Sequence, residues 1–258
     1  MDPNAFVKAF FTPRRATASP GELRLLSTGR QRPVEHDGHS LPTWTWGEGP
    51  GPRVLLSHGW DSRGSHLGAF VQPLAALGLS VTLFDSPAHG DAHGETSSVV
   101  HMGRALIAVA RSFGDVAGLI GHSAGSAAAL WAFNHGLSVS ASVHLAGPAT
   151  LENVMRAAAG AARLGPEEYR AFRARAQVQI GCPIEDLSAA CLAPALRHAG
   201  LLVHDPEDPV IPFSESRTLH ELWPTSRLIE AQGLGHTRIL SDPKIVAECV
   251  GFVGGSVA

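Results

Sequence analysis

The chain has 258 residues, of which 17% are charged, and its formal net charge is −3. This length suits one large α/β domain, or one domain that carries a small insertion. The nearly balanced charge predicts neither a basic surface for nucleic acid nor a patch that steers the chain to a membrane. The three cysteines, Cys182, Cys191 and Cys249, fit neither a disulfide framework nor the spacing of a metal finger.

The first forty residues are polar and give only a weak pattern, from which we predict an edge strand or an arm at residues 22–27. Residues 5–11 are apolar, but Lys8 interrupts them, so we predict no export signal. The uncharged stretch 116–151 contains glycines, serines, histidines and a proline, which are not typical of a membrane span. We therefore expect a cytoplasmic protein.

From residue 41 onwards, apolar runs of strand length alternate with helical patterns of about ten to fifteen residues. The predicted strands are 41–46, 53–57, 80–84, 116–120, 142–145, 200–203 and 227–230, and the predicted helices are 70–77, 99–113, 124–134, 214–222 and 243–253. This alternation is typical of a doubly wound, mostly parallel sheet that helices cover on both faces. In such a sheet, ligands bind beyond the carboxyl ends of the strands.

Residues 151–196 differ from the rest because they are helical in pattern, rich in alanine, arginine and glutamate, and without a strand signal. New helix starts are indicated at Pro166 and Pro183. We predict that this segment is a small helical lid inserted into a core formed by residues 1–150 and 197–258. The alternative is one long crossover helix with extra turns.

The sequence Gly-His-Ser-Ala-Gly at 121–125 follows a predicted strand and precedes a run of small residues. A serine on so tight a strand-to-helix turn exposes its Oγ above the sheet, and the flanking glycines let neighbouring backbone approach. Ser123 is therefore a candidate nucleophile. The backbone N–H of Ala124, at the start of the following helix, is a candidate donor to an oxyanion.

A serine nucleophile needs a base, and the base needs a carboxylate to orient it. In chains with this kind of turn, the acid and then the base follow the serine. His236 is the candidate base because it lies in a glycine-containing loop after the last predicted strand. Asp208 is the preferred acid, and Asp205 and Glu207 in the same loop are the alternatives.

Five short segments together resemble the α/β-hydrolase family, in its small, lid-bearing, esterase-like branch. In order they are Leu-Leu-Ser-His-Gly-Trp at 55–60, Asp-Ser-Pro-Ala-His-Gly at 85–90, the serine turn at 121–125, Asp-Pro-Val-Ile-Pro at 208–212 and Gly-His at 235–236. The resemblance extends from about residue 44 to the end. It implies that Ser123 is the nucleophile, Asp208 the acid and His236 the base, with the backbone N–H groups of Trp60 and Ala124 as the oxyanion hole.

The chain also departs from branches of that family. It has His-Gly-Trp at 58–60, where one esterase branch has His-Gly-Gly-Gly. Its nucleophile position holds serine, whereas haloalkane dehalogenases have aspartate and dienelactone hydrolases have cysteine. The resemblance implies that His58 shapes the oxyanion loop. His89, Asp91 and His93 suggest a metal site, but we interpret them as parts of a turn.

The resemblance implies a serine hydrolase that cleaves small carboxylic esters through an acyl-enzyme on Ser123. No metal or organic cofactor is expected, and the expected partner is a small-molecule ester rather than nucleic acid or a membrane. The same three residues would also serve a carbon–carbon bond hydrolase or a thioester hydrolase. A receptor-like protein that binds ligands with little turnover is the alternative from another class.

Overall fold

The structure is a computed structural model that describes residues 3–47, 49 and 51–257. The strands within these residues are β1 (Arg30–Gln31), β2 (Val34–His36), β3 (His39–Leu41), β4 (Thr43–Trp46), β5 (Arg53–Ser57), β6 (Ser80–Phe84), β7 (Val116–His122), β8 (Ala141–Leu145), β9 (Ala199–His204) and β10 (Ser226–Glu230). The helices are α1 (Pro3–Phe11), α2 (Pro20–Thr28), α3 (Val71–Ala76), α4 (Val99–Phe113), α5 (Ala124–Asn134), α6 (Leu151–Ala161), α7 (Pro166–Ile180), α8 (Ala189–Leu192), α9 (Ser214–Leu222), α10 (Gly235–Arg238) and α11 (Pro243–Val257). Among these described helices, none is both long and apolar enough to cross a bilayer.

In the described part of the chain, eight strands form one sheet in the order β1-β4-β6-β5-β7-β8-β9-β10. Every neighbouring pair from β6 to β10 is parallel, and β4 and β1 add an antiparallel edge. Alternate residues of the central strands enter two different cores, because successive side chains of a strand point to opposite faces. Leu55 and Leu119 pack into one core, whereas Val54, Leu56 and Ile120 pack into the other. The prediction of a doubly wound, mostly parallel sheet is confirmed.

The beginning of the chain differs from the prediction of an edge strand or arm, which is wrong for residues 22–27. These residues belong to α2, whose first turn is closed by a capping box: Ser19 Oγ accepts the N–H of Glu22 at 3.3 Å, and the Glu22 carboxylate accepts the N–H of Ser19 at 2.8 Å. The spacing of Ser19, Pro20 and Glu22 is a helix-start signal that the sequence already contained.

Helix α1 was not predicted from the sequence. Aromatic contacts hold it against the rest of the protein. The rings of Phe6 and Phe10 contact the ring of Phe172 in α7, with centroids 4.8 Å and 5.1 Å apart. Offset and edge-to-face contacts of this kind stabilise buried aromatic clusters. The N-terminal helix is therefore packed against the segment that we predicted as a lid.

Most of the described residues between β8 and β9 are helical, as the composition of 151–196 predicts. The alternative of one long crossover helix is wrong because the chain turns between α6 and α7, where Arg163 has φ +56°, and again at Gly181, with φ +84°. Arg173 of α7 binds Glu152 of α6 at 3.0 Å, which ties the two helices together. The division into a core and a lid stays a prediction.

A line of polar side chains runs beneath α5, where β8 passes through the core. Ser126 Oγ lies 2.7 Å from His144 Nδ1, His144 Nε2 lies 3.0 Å from Ser142 Oγ, and the same Oγ lies 2.7 Å from His198 Nε2. Burial, reinforced by the nearby His198, lowers the pKa of His144 to about 3. The His144 imidazole is therefore neutral in the folded protein at ordinary pH.

This buried histidine should make the protein less stable in mild acid. An unfolded His144 binds a proton below pH 6.5, whereas the folded one does so only near pH 3, so stability is lost as the pH falls through this window. We expect His144 to cost about 2 kcal/mol of unfolding free energy at pH 5. Glutamine does not titrate. Between pH 7 and pH 5, the free energy of unfolding of His144→Gln, measured with urea, should therefore fall by about 2 kcal/mol less than that of the wild type. Equal losses in both proteins would contradict this assignment.

Candidate active site

Ser123 lies on a strained turn between β7 and α5. Its φ is +50° and its ψ is −122°, a conformation that residues other than glycine rarely adopt. A Cβ on Gly121 would lie 2.9 Å from the Cα of Ser126, and one on Gly125 would clash with the carbonyl oxygen of Ser57. The two glycines are therefore required by close backbone approach on either side of the serine, as the sequence motif predicts.

The structure brings Ser123, His236 and Asp208 into one chain of hydrogen bonds. The Oγ of Ser123 lies 3.0 Å from Nε2 of His236, and Nδ1 of His236 lies 2.8 Å from Oδ2 of Asp208. An ionised carboxylate only accepts hydrogen bonds, so Nδ1 carries the proton and Nε2 accepts the serine hydroxyl. Each residue follows the carboxyl end of a strand, respectively β7, β10 and β9. This geometry allows the imidazole to remove the serine proton.

The carboxylate of Asp208 is held in its ionised form. Its side chain is fully buried, and Oδ1 accepts the N–H groups of Val210 at 2.7 Å and Ile211 at 3.1 Å. Burial would raise the pKa of Asp208, but hydrogen bonds from His204, His236 and these two amides outweigh it and hold the pKa well below its usual range. A charged acceptor therefore faces His236 over a wide range of pH.

His204 is a partner of this acid that the sequence reasoning missed. Its Nε2 lies 3.3 Å from Oδ2 of Asp208 and 2.9 Å from the carbonyl oxygen of Ile211. Both are acceptors, so Nε2 carries the proton, and Nδ1 lies 2.7 Å from Oγ of Ser216 in α9. The sequence signal for this contact was the position of His204, a polar residue directly after the apolar run 200–203 and before residues 205–212, which contain Asp208 and are called the acid loop below.

Asp205, which we considered as an alternative acid, contacts the first residue of the short helix α10, which carries the candidate base His236, rather than the loop predicted there. Its Oδ2 accepts the N–H of Gly235, the residue before His236, and its Oδ1 accepts the N–H of Glu207 at 2.9 Å. Asp205 is only 1% exposed, and its carboxylate shapes the turn after β9. Glu207 is exposed. Of the three carboxylates, Asp208 is the one bonded to the imidazole.

His122, within the serine turn, contacts the backbone of the candidate base His236. Its Nε2 donates to the backbone carbonyl oxygen of His236 at 2.9 Å, and the two rings lie 4.9 Å apart. Burial, reinforced by His236, lowers the pKa of His122 to about 3, so this ring stays neutral beside the base. The sequence motif treats this position as variable and gave no indication of the contact.

His58, which is completely buried, joins the loop after β5 to the loop after β6. His58 Nδ1 donates to the carbonyl oxygen of Gly59 at 2.8 Å, and its Nε2 accepts the N–H of Ser86 at 2.9 Å. These bonds hold the backbone that leads into Trp60. Trp60, Ser123 and Ala124 line the same cavity, so both proposed oxyanion donors belong to residues beside the serine.

The histidines near residue 90 lie in a turn, in agreement with our interpretation of that segment. Asp91 pairs with the buried Arg63 at 2.7 Å, and the N–H of Ala88 donates to the carbonyl oxygen of His93 at 2.9 Å. Asp85 accepts the N–H groups of Gly64 and Asp91, both at 2.8 Å. These contacts hold the loop after β6 against the loop after β5.

The cavity in front of Ser123 has a volume of about 370 Å³ and an almost entirely apolar wall. Of the described residues that line it, none is charged, and Ser98 and Ser123 supply the hydroxyl groups. The wall includes residues from α1, from the helices between β8 and β9 and from the acid loop, among them Phe10, Phe11, Leu151, Ile180, Leu192 and Ile211. The site is therefore suited to an uncharged, apolar ligand.

The sequence profile of the alpha/beta hydrolase family matches residues 54–249. The chain therefore belongs to that family, and its broad class is hydrolase. A comparison with curated proteins finds no match in sequence.

Solved structures of several hydrolases share this fold. An esterase from Pyrococcus furiosus is 18% identical, with a TM-score of 0.70, over 96% of this chain and 98% of that one. A thioesterase domain from the curacin biosynthetic pathway is 17% identical, with a TM-score of 0.64, over 87% and 98%. A meta-cleavage product hydrolase from Pseudomonas fluorescens IP01 is 18% identical, with a TM-score of 0.65, over 87% and 97%. At these identities the likeness establishes the fold.

Proposed function

We propose that the protein is a serine hydrolase that cleaves small, uncharged carboxylic esters through an acyl-enzyme on Ser123. The observation that carries this proposal is the hydrogen-bonded chain from Ser123 through His236 to Asp208, placed at an apolar cavity. This constellation is recognised by its geometry and by the role of each member rather than by its fold.

In the first half of the reaction, His236 Nε2 takes the proton of Ser123 Oγ as this oxygen attacks the acyl carbon. Asp208 stabilises the imidazolium that forms, and the N–H groups of Trp60 and Ala124 bind the negative oxygen of the tetrahedral intermediate. The imidazolium then gives its proton to the departing alcohol. Water repeats the sequence on the acyl-enzyme, which releases the acid and restores the serine.

The uncharged wall of the cavity supports an ester whose acyl part is apolar. A charged acyl group would lose its hydration there without gaining a partner, which is costly. The aromatic and aliphatic side chains would instead gain free energy by covering hydrocarbon. We therefore propose short to medium aliphatic or aryl acyl groups as substrates.

The test is turnover of p-nitrophenyl acetate, butyrate and octanoate by the purified protein, alongside matched thioesters and a vinylogous diketone. We expect many turnovers per molecule on at least one ester and slower reaction of the thioesters and the diketone. A thioester or diketone preferred at least tenfold would move the assignment to that reaction. A single acylation that then stalls would instead support a receptor-like protein.

Trp60→Phe should keep most of the activity, because the proposed contribution of Trp60 is its backbone N–H. The indole lines the cavity and contacts His89, with ring centroids 4.9 Å apart, so its replacement should change mainly KM or the preferred acyl group. Measurement of kcat and KM over the ester series checks this. Loss of turnover in a folded variant would show that the indole has a chemical role of its own.

A further inference from the structure

Two imidazoles and a carboxylate converge away from the active site. His36 ends β2, Asp37 follows it in the turn, and His101 lies in the first turn of α4. One candidate ligand atom from each residue lies within 4.8 Å of the other two. Oδ2 of Asp37 is 3.4 Å from Nε2 of His36 and 3.8 Å from Nε2 of His101.

The backbone that presents these side chains is well defined. Strands β2 and β3 pair with His36 opposite His39, which leaves a two-residue turn at Asp37 and Gly38. Both turn residues have positive φ, +48° and +74°, as in the tight turns preferred by hairpins. On the other side, the N–H of His101 donates to Ser98 Oγ at 3.1 Å, which caps α4.

His36 provides the observation that points to a ligand. Its side chain is only 9% exposed, and its Nε2 is buried with no hydrogen-bond partner among the described residues. The nearby Asp37 oxygen, at 3.4 Å, does not meet the geometry of a hydrogen bond with this nitrogen. An unpaired buried polar atom is rare, because the hydration that it loses on folding is not replaced by another hydrogen bond. Here the unpaired nitrogen faces a carboxylate oxygen and a second imidazole.

We propose that His36, Asp37 and His101 bind a divalent transition-metal ion of the zinc class. Two imidazole nitrogens and one carboxylate oxygen suit Zn²⁺ at about 2.0–2.2 Å, which in a tetrahedral site separates the ligand atoms by roughly 3.3–3.6 Å. Two of the three separations, 3.4 Å and 3.8 Å, are already near this value. The fourth ligand is water from the adjoining cleft of about 240 Å³, which Asp37, His101, Arg104 and Gln179 line.

The ion would join the β2–β3 turn to the start of α4 rather than take part in ester cleavage. Ser98 and Ile180 line both this cleft and the cavity in front of Ser123, so the two sites share a wall. Because Arg104 faces the same cleft and repels cations, we expect micromolar rather than nanomolar affinity. The proposal does not depend on the hydrolytic activity.

Calorimetric titration of untagged, chelator-treated protein with ZnCl₂ tests the site. We expect saturation at one ion per chain and a rise in Tm on binding. Asp37→Asn and His101→Gln should each weaken binding at least about tenfold, whereas His135→Gln, at an exposed histidine elsewhere, should bind like the wild type. Bound Co²⁺ should show the visible bands of a low-coordinate nitrogen–oxygen site in the wild type and in His135→Gln, and these bands should be weaker or absent in Asp37→Asn and His101→Gln.

The exposed Asp37 keeps the experiment decisive if His101→Gln fails to fold, because Asp37→Asn removes a ligand from a surface turn. Absence of saturable binding in the wild type would overturn the proposal. So would an affinity that Asp37→Asn and His101→Gln leave unchanged.

Discussion

Ser123→Ala should lower kcat on a p-nitrophenyl ester by at least about 10⁴-fold and leave the fold intact, as expected when a catalytic triad loses its nucleophile. Alanine at this position removes only the Oγ that lies 3.0 Å from His236 Nε2. Circular dichroism and Tm would verify the fold. Retention of a tenth of the wild-type turnover would refute the proposed mechanism.

Ser126→Ala is a matched control, because this serine is also buried and lies one helical turn away. Its Oγ bonds to His144 rather than to His236, so its loss should leave kcat within about tenfold of the wild type. A fluorophosphonate probe should label the wild type once, at Ser123, and should not label Ser123→Ala. An adduct mapped to another residue would contradict the assignment of the nucleophile.

Asp208→Asn should reduce kcat by about 10²–10⁴-fold without unfolding the protein. The carboxylate accepts the proton-bearing Nδ1 of His236 at 2.8 Å, and an amide in its place would favour the wrong tautomer and would no longer stabilise the imidazolium. Glu207→Gln, at an exposed position in the same loop, should stay within about tenfold. Steady-state kinetics of the two variants at several pH values would measure the difference.

Asp205→Asn belongs in the same comparison and should fall between the other two variants. Asp205 holds the N–H of Gly235 and thereby the position of His236, so its loss should weaken both activity and thermal stability. If Asp205→Asn were the most damaged variant while remaining folded, the orienting carboxylate would be Asp205 and not Asp208.

The sheet and its motif loops could be predicted because strands buried on both faces are continuous apolar runs with polar residues at their ends. The runs 53–57 and 80–84 coincide with β5 and β6 to the residue. The candidate triad followed from chain order and from the serine turn. The structure joins the three side chains in one chain of hydrogen bonds, with His236 between Ser123 and Asp208.

The supporting contacts could not be predicted because they join residues far apart in the chain. His122 reaches the backbone of His236 across 114 positions, and no pattern within either segment indicates it. The apolar residues of α1 did not indicate where this helix packs, because their partner, Phe172, lies far along the chain in α7. The cluster of His36, Asp37 and His101 exists only because the β2–β3 turn lies against α4.

Helix α1 contributes to the cavity in front of Ser123, although it lies outside the sheet that positions Ser123, His236 and Asp208. Phe10 and Phe11 shape the space in front of Ser123, yet they precede every strand of the sheet. We therefore expect the first dozen residues to influence which acyl groups the cavity accepts, although they precede the strands that carry Ser123, His236 and Asp208. Exchange of this short N-terminal segment would be a route to altered acyl selectivity that leaves the sheet and the Ser123, His236 and Asp208 chain unchanged.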